Sequence, residues 1–415
     1  MAPRAGNETG RAAERIARES FGRLVALVAA RTGDVAAAED ALADAFAAAL
    51  SQWPTGGVPD NPAAWLLTVA RRRATDLARR RAVETGGADH LALMAEELEE
   101  AVASPEAIPD RRLALMFACA HPAIDRAVRA PLMLQVVLGF SADDIAQAFL
   151  VPPATMGQRL VRAKSRIRDA GIPFRTPGRE ELAERLAAVL EAIYAAYARG
   201  WGEFDDGAPR LAEEAIWLGE VLAGLLPDEP EAKGLLALMY YAEARRPARR
   251  GVDGAFTPLG EQDVALWDRG ALTAAERLLS AASAAGPSGR YQIEAAIQSA
   301  HVARRLNGAP TWPAIVALYD HLLALTASPV VALNRAVALA ETEGPVAALA
   351  ALDPLAADER MAAYQPYWAA RGALLDRAGR PAEARDALTR ALGLADDPAV
   401  RTYLRNRIEG LAAAP

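Results

Sequence analysis

The sequence predicts an all-α protein, and both its composition and a repeated pattern of helix breaks indicate this. Hydrophobic residues make up 52% of the 415 residues but aromatic residues only 6%, so Ala, Leu and Val supply most of the apolar mass. Ala and Leu have the best helix propensities, and β-branched runs are scarce. The chain is longer than one ordinary hydrophobic core supports, which predicts two or three domains.

Charge is distributed unevenly along the chain, whose formal net charge is -7. Residues 1–177 hold 22 basic and 21 acidic side chains, whereas residues 178–415 hold 24 basic and 32 acidic ones. Nucleic-acid affinity depends on local neutralisation of phosphates rather than on total charge. A near-neutral front half with basic clusters and an acidic back half therefore indicate two separate tasks.

Several functional classes are excluded by what the sequence lacks. The single cysteine, Cys119, allows no internal disulfide and is expected to be packed rather than reactive. No run of about 18 apolar residues predicts a membrane span, and no signal peptide is recognisable, so we expect a cytoplasmic protein. We find no metal-ligand spacing and no activated nucleophile, so we expect no metal, no cofactor and no enzyme activity. The four histidines show no spacing typical of metal ligands; they are His90, His121, His301 and His321.

The first domain is predicted over residues 12–82, with helices interrupted at Ser51–Pro62, where Gly and Pro are expected to end a helix. The stretch GDVAAAEDALADAF, Gly33–Phe46, predicts an amphipathic helix with an acidic face. Such a face suits a basic partner helix, and it is also typical of an ordinary surface helix.

A basic helix is predicted next, over Asp60–Arg81. Its inner side is expected to consist of Trp65, Leu66, Val69 and Ala70. Its cationic surface comprises Arg71, Arg72, Arg73, Arg79, Arg80 and Arg81. Such a cationic surface is suited to holding phosphates by charge. For Trp65 itself, core packing is the favoured role.

An acidic linker is predicted over residues 83–110, followed by a second helical domain over residues 111–170. In LGFSADDIAQAF, Ser141 is expected to begin a helix with Asp144 in a capping box. The next helix, up to Arg168, should bury a stripe of apolar residues. That stripe comprises Met156, Leu160, Ala163 and Ile167.

Two short helices with a tight turn, the second of them basic, predict a helix-turn-helix that enters the DNA major groove. The alternative is a solvated amphipathic helix. Residues near the start of the second helix would face base edges, and later ones would meet phosphates. The first group is Ala154, Thr155, Gly157, Gln158 and Arg162, and the second is Lys164, Arg166 and Arg168.

The stretch ATMGQRLVRAKSRIR resembles the end of region four of sigma-70 family sigma factors, which reads the minus-thirty-five promoter element. The matching positions are Thr155, Met156, Arg159, Leu160, Arg162, Ala163, Lys164, Arg166, Ile167 and Arg168. Gly157 and Gln158 depart from the Lys-Ser pair common in that family, which leaves the base preference of this helix open.

Two front segments resemble region two of the same family. Gly33–Phe46 is similar to the helix that docks on the β′ clamp helices of RNA polymerase, although Ala43 replaces a usual glutamine. The implied polymerase contacts are Glu39, Asp40, Leu42, Asp44 and Phe46. Asp60–Arg81 is similar to the part that recognises the minus-ten element, with Arg72 where Asn is frequent. The implied DNA contacts are Trp65, Arg71, Arg72, Arg73, Arg79 and Arg80.

Because region three is absent, the front half resembles an extracytoplasmic-function (ECF) sigma factor. This resemblance implies core RNA polymerase, through the β′ clamp helices and the β flap, and promoter DNA as partners. The long extension resembles that of the subgroup with a C-terminal tetratricopeptide-like region. The competing interpretations are a one-component helix-turn-helix regulator with a helical sensor domain, and a tetratricopeptide-type scaffold.

The extension, residues 178–415, is predicted to be a solenoid of helical hairpins. Gly308, Gly344 and Gly379 each lie between two amphipathic helices at intervals of 36 and 35 residues. The last copy resembles a tetratricopeptide repeat. Its matching positions are Trp368, Gly372, Gly379, Ala384, Ala391 and Pro398. We expect this acidic region to modulate or complete sigma activity, by contacting the basic helices, the polymerase or a signal protein.

Two segments of the extension allow a binding function as well as a structural one. Ala244–Gly270 is a long insertion between helices, which is either a ligand site or a polar loop held by its own hydrogen bonds. Gly286–His301 places glycines before a helix, which either binds an anion or, as we favour, simply starts the helix.

Overall fold

The computed structural model describes residues 24–25, 28–29, 35–59, 61–85, 111–169, 177–202, 209–251 and 254–413. These residues form helices and contain no strand, only an isolated bridge between Arg250 and Phe256. The prediction of an all-α protein is therefore confirmed. The chain forms two compact units, Met1–Ala196 and Tyr197–Pro415.

The described residues of the first unit include a series of helices, the last of which continues past Ala196. They are α1 (Val35–Gly56), α2 (Pro62–Thr85), α3 (Arg111–Cys119), α4 (Arg126–Val136), α5 (Ala142–Ala148), α6 (Pro153–Asp169) and α7 (Arg179–Gly202). Helices α1 and α2 pack against each other, as do α3 to α6 among themselves. The predicted sites therefore lie in two helical groups.

Helix α1 is longer than the sequence predicted, because it continues through Pro54 to Gly56. The expected interruption at Ser51 is therefore wrong by several residues. A proline removes one helical hydrogen bond, and Pro54 lies in the last turn of α1, next to the buried Trp53. Gly57 ends the helix with a φ of 81°, and its N–H donates to Trp53 O at 2.9 Å.

The turn before α5 has the predicted cap. Ser141 Oγ accepts the backbone N–H of Asp144 at 3.1 Å and donates to Asp144 Oδ2 at 2.6 Å. These bonds satisfy a donor at the helix start that would otherwise be unpaired. The capping prediction is confirmed, and it determines where α5 begins and hence where α6 follows.

The described residues of the second unit include the end of α7 and a series of further helices. They are α8 (Pro209–Leu225), α9 (Pro230–Glu243), α10 (Arg269–Ala285), α11 (Arg290–Asn307), α12 (Trp312–Thr326), α13 (Pro329–Thr342), α14 (Pro345–Leu352), α15 (Glu359–Ala362), α16 (Gln365–Arg377), α17 (Pro381–Gly393) and α18 (Pro398–Ala413). Most helices pack against the next one along the chain. Helix α9 also contacts α11, and α13 contacts α16, which gives a stack of helical hairpins.

The three glycines of the predicted repeat occupy the turns between paired helices. Gly308, Gly344 and Gly379 have φ values of 68°, 87° and 73°, a region that other residues rarely adopt. At Gly372 the two helices of the last hairpin approach closely, because an added Cβ would lie 2.7 Å from Leu388 Cγ. Small residues are thus required here by packing.

The insertion between α9 and α10 is held by hydrogen bonds to its surroundings. The N–H of Asp268 donates to Ala244 O at 2.9 Å and closes the loop. Near its middle, the N–H of Phe256 donates to Ala399 O at 3.2 Å, and its ring meets Tyr403 edge-on at 5.9 Å. These contacts attach the loop to α18, far along the chain, which agrees with the structural interpretation of this segment.

The glycine-rich start of α11 is occupied by a side chain of the protein itself. The Glu231 carboxylate accepts the N–H groups of Tyr291 at 3.0 Å and Gln292 at 3.1 Å. A Cβ at Gly289 would lie 2.4 Å from Glu231 Cδ, so glycine makes room for this carboxylate. An internal carboxylate thus takes the place that a bound anion would need.

Among the described residues, no helix is long and apolar enough to cross a membrane. Within the same ranges, no group of three or more His, Cys, Asp or Glu residues is arranged to hold a metal ion.

Candidate nucleic-acid interface

Helix α6 is positioned by a tight turn after α5 and by an apolar stripe. The turn contains Leu150 at a positive φ of 51° and is closed by the Val151 N–H, which donates to Ala146 O at 2.9 Å. Met156, Leu160 and Ile167 are buried, as the sequence predicted. Ala163, the fourth predicted stripe residue, is half-buried. The stripe fixes which face of α6 is left to solvent.

The solvent face of α6 carries both polar and apolar side chains. Its exposed residues are Pro153, Ala154, Gln158, Val161, Arg162 and Arg166. The remaining predicted DNA contacts with described side chains, Thr155, Gly157, Arg159 and Lys164, are half-buried. The side chain of Arg168 lies outside the described set. The sequence interpretation overlooked Val161, although its position outside the Met156–Leu160–Ile167 stripe was the signal that predicted its exposure.

Lys164 is engaged by a residue from the predicted polymerase-binding segment. Its Nζ lies 2.6 Å from Glu39 Oε2 on α1, and the two side chains keep only 23% and 15% of their exposure. This ion pair competes with any contact between Lys164 and a phosphate. The sequence patterns assigned Glu39 to the polymerase-binding segment and Lys164 to the DNA-binding helix, and the fold brings the two residues together.

Cys119 lies beside this ion pair and is fully buried. Burial raises the pKa of the Cys119 thiol well above its ordinary value, and the charge of Glu39 raises that pKa further while Lys164 opposes the shift. A neutral buried thiol is a packing group and a poor nucleophile. The prediction that Cys119 is packed rather than reactive is therefore supported by its position.

The other predicted polymerase contacts on α1 divide by exposure. Asp40 and Asp44 are exposed one turn apart and form the acidic face expected from the sequence. Phe46 is half-buried, and Leu42 is completely buried. Leu42 therefore stabilises α1 from inside, and Asp40 and Asp44 remain at the surface.

On α2, the predicted inner side and the basic surface are both found at its beginning. Leu66 and Ala70 are buried, whereas Trp65 is half-buried and meets the buried Trp53 edge-on at 5.5 Å. Arg71 is half-buried, while Arg72 and Arg73 are exposed. The side chains of Arg79 and Arg80, like that of Arg81, lie outside the described set.

A contact that the sequence did not suggest attaches the start of α7 to α3. The buried guanidinium of Arg185 donates to Phe117 O at 3.2 Å and to Glu181 Oε1 at 2.7 Å. The side chain of Arg185 is 2% exposed. The first half of α7 therefore belongs to the same compact unit as the helices that carry the predicted DNA contacts, and the boundary between the units falls after Ala196.

Comparison with protein families assigns the front of the chain to a known class. The model of sigma-70 region 2 matches residues 17–83, and that of a family of unknown function, DUF6596, matches residues 185–283. A sigma-70 region 2 domain supports a sigma-70 family factor, a class of transcription initiation factors rather than enzymes. It implies interaction with core RNA polymerase and promoter DNA.

The chain also has a full-length relative. Over 391 residues it is 41% identical to an uncharacterized protein of Rhizobium meliloti (strain 1021), and the match covers 91% of this chain and 90% of the relative. The chain belongs to the family of that protein. No solved structure matches the chain significantly.

Proposed function

We propose that this protein is an ECF-type sigma factor whose α5 and α6 form the helix-turn-helix that reads the minus-thirty-five element. The observation that carries the proposal is the joint occurrence of a region 2 match at residues 17–83 and an exposed, basic face on α6. Gln158 and Arg162 on that face have the donor and acceptor chemistry that reads base edges. Arg166 is placed one turn later, where it can meet a phosphate.

In this proposal α1 contacts core polymerase and α2 contacts the minus-ten element. Asp40 and Asp44 present negative charge to a basic element of core polymerase, because complementary charges accelerate and orient association. Arg72 and Arg73 on α2 hold the backbone of the minus-ten element, and Trp65 supports α2 through its contact with Trp53.

The test is transcription by the purified chain with core polymerase on fragmented genomic DNA, followed by mapping of the RNA 5′ ends. We expect initiation at a small set of promoters that share two conserved elements. Core polymerase without the chain is the negative control for initiation. A chain that binds such DNA tightly without core polymerase and starts no transcripts would instead be a one-component regulator.

A charge-reversal variant tests the role of α1. Asp40→Lys with Asp44→Lys should lower core binding and transcription together, since both side chains are exposed and their loss does not disturb the core. Glu184→Lys with Asp386→Lys is the matched control, because it reverses two exposed carboxylates elsewhere. Equal losses in both variants would contradict the assignment of α1 as the polymerase-binding helix.

We further propose that residues 178–415 form a tetratricopeptide-like regulatory region that modulates or completes sigma activity. The support is the acidic balance of this region against the basic helices of residues 1–177. A chain that ends after Ala196 keeps Arg185 and its bond to Phe117, and therefore suits the comparison better than one that ends at Pro177. Identical transcription rates and salt dependence of the shortened and full chains would contradict a regulatory role.

A further inference from the structure

Val161 lies on α6 with its apolar side chain in solvent. It is 65% exposed, whereas its neighbour Leu160 is 2% exposed. A β-branched residue lowers helix propensity, and here most of its surface stays outside the packed interior. Isolated apolar residues are normal on a protein surface, so exposure alone assigns Val161 no role.

The residue one turn before Val161 is a glycine that the fold does not require. A Cβ at Gly157 would meet no atom within 4 Å, and the backbone there has no positive φ. Glycine inside a helix is destabilising relative to alanine. Helical side chains lean toward the N-terminus, so Val161 extends over the turn that contains Gly157. We call this pair the apolar step: the apolar side chain of Val161 lies beside Gly157, which has no side chain.

Polar groups flank this step on the same exposed face. Gln158 and Arg162 are both exposed, and Arg162 Nε donates to Gln158 O at 3.3 Å. The amide and the guanidinium are the groups that pair with adenine and guanine edges in a major groove. The basic charge of α6 complements phosphate, which favours DNA over a second apolar protein surface as the occupant of this face.

The major groove offers one exposed apolar group, the C5 methyl of thymine. We propose that Val161 is a specificity-determining residue, which packs against a thymine methyl that the missing side chain of Gly157 admits. This inference rests on the proposed entry of α6 into the major groove. It assigns the base preference of this helix to the apolar step as well as to the hydrogen bonds of Gln158 and Arg162.

The experiment replaces each thymine of the minus-thirty-five element by uracil, one position at a time, in promoters mapped with the full chain and core polymerase. Uracil lacks only the methyl group. With the unchanged protein, one substitution should lower holoenzyme affinity about fourfold, the value for one buried methyl group. With Val161→Ala the thymine promoter should bind more weakly, and the difference between thymine and uracil should disappear.

Gly157→Ala is the second variant. Its added methyl fills the step, so affinity for the thymine promoter should fall toward that for the uracil promoter. The thermal midpoint of the protein should rise, because alanine favours a helix. This combination separates the proposed role from simple damage to the fold. Val346→Ala is the matched control, since Val346 is 72% exposed in α14, and its ratio between thymine and uracil should equal that of the unchanged protein.

Three results would overturn the proposal. One is equal affinity for thymine and uracil at every position with the unchanged protein. Another is a thymine preference that survives in Val161→Ala. A third is weaker core polymerase binding by Val161→Ala with an unchanged preference, which would assign the side chain to a protein contact. Transcription from the unsubstituted promoter is measured separately, so none of these three results contradicts the proposed sigma function. That function is refuted if the unchanged chain fails to start transcription at specific promoters.

Discussion

The ion pair between Glu39 and Lys164 provides a sharp test of how the first unit is held together. The variants are Glu39→Gln, Lys164→Met and the two combined, which form a double-mutant cycle. Gln and Met keep the approximate size of each side chain and remove its charge. The coupling energy then reports the interaction between two residues that are remote in sequence.

The expected magnitude follows from the burial of the pair. Exposed ion pairs contribute roughly 0 to 1 kcal/mol, and breaking a fully buried one costs roughly 3 to 5 kcal/mol. The two side chains keep 23% and 15% of their exposure, with the charged atoms 2.6 Å apart. This intermediate burial predicts a coupling of about 1 to 2 kcal/mol.

The assay is amide hydrogen exchange, read from peptides of α1 and α6, because exchange gives the free energy of local opening. Opening of both helices should become easier in each single variant, and little further in the double one. The exposed pair Arg380 and Glu383, whose side chains are 48% and 53% exposed, serves as the control cycle and should give no measurable coupling. A coupling energy for Glu39 and Lys164 that is equally close to zero would refute the contact.

Three further predictions concern buried groups. Burial, followed by the charges of Arg304 and Arg245, lowers the pKa of His301 to about 4. The unfolded chain therefore binds the extra proton first, so stability should fall as the pH drops from about 6.5 to about 4, by at most about 3 kcal/mol, and His301→Gln should flatten that part of a denaturation profile. Cys119 should react with iodoacetamide at pH 8 only after urea unfolding, and rapid labelling of the folded chain would contradict its burial. Gly372→Ala should destabilise the second unit by about 1 to 3 kcal/mol in urea titrations, since its Cβ would overlap Leu388, whereas Gly410→Ala, which meets no neighbour, should not.

Local features of the fold were predictable because their causes lie within a few residues. The cap at Ser141 needs only Asp144 three positions later, and the turns at Gly308 and Gly379 need only a residue that tolerates positive φ. The buried stripe of α6 follows from helical periodicity. A local rule gave a wrong boundary at Pro54, because the helix continues past this proline to Gly56.

Several features of the candidate site were beyond the reach of such rules, because they join distant residues. Sequence could not indicate that Lys164 pairs with Glu39, or that Arg185 reaches the carbonyl oxygen of Phe117. A charged side chain has several partners within its reach, and only the packing of helices selects one. Exposure of Val161, by contrast, was indicated locally, because the residue lies outside the buried stripe of α6.

The amino-acid sequence by itself determined the helical class, the order of the helices and the placement of basic and acidic segments, because propensity, periodicity and charge are local properties. Only the tertiary structure shows which of the predicted contact residues are buried or paired within the chain. It buried Leu42, engaged Lys164 and filled the anion position at Gly289 with the carboxylate of Glu231. The physical reason is that burial and pairing depend on which side chains the fold brings together from distant parts of a unit. A sequence pattern shows which residues could pair or be buried, but not where they lie relative to one another.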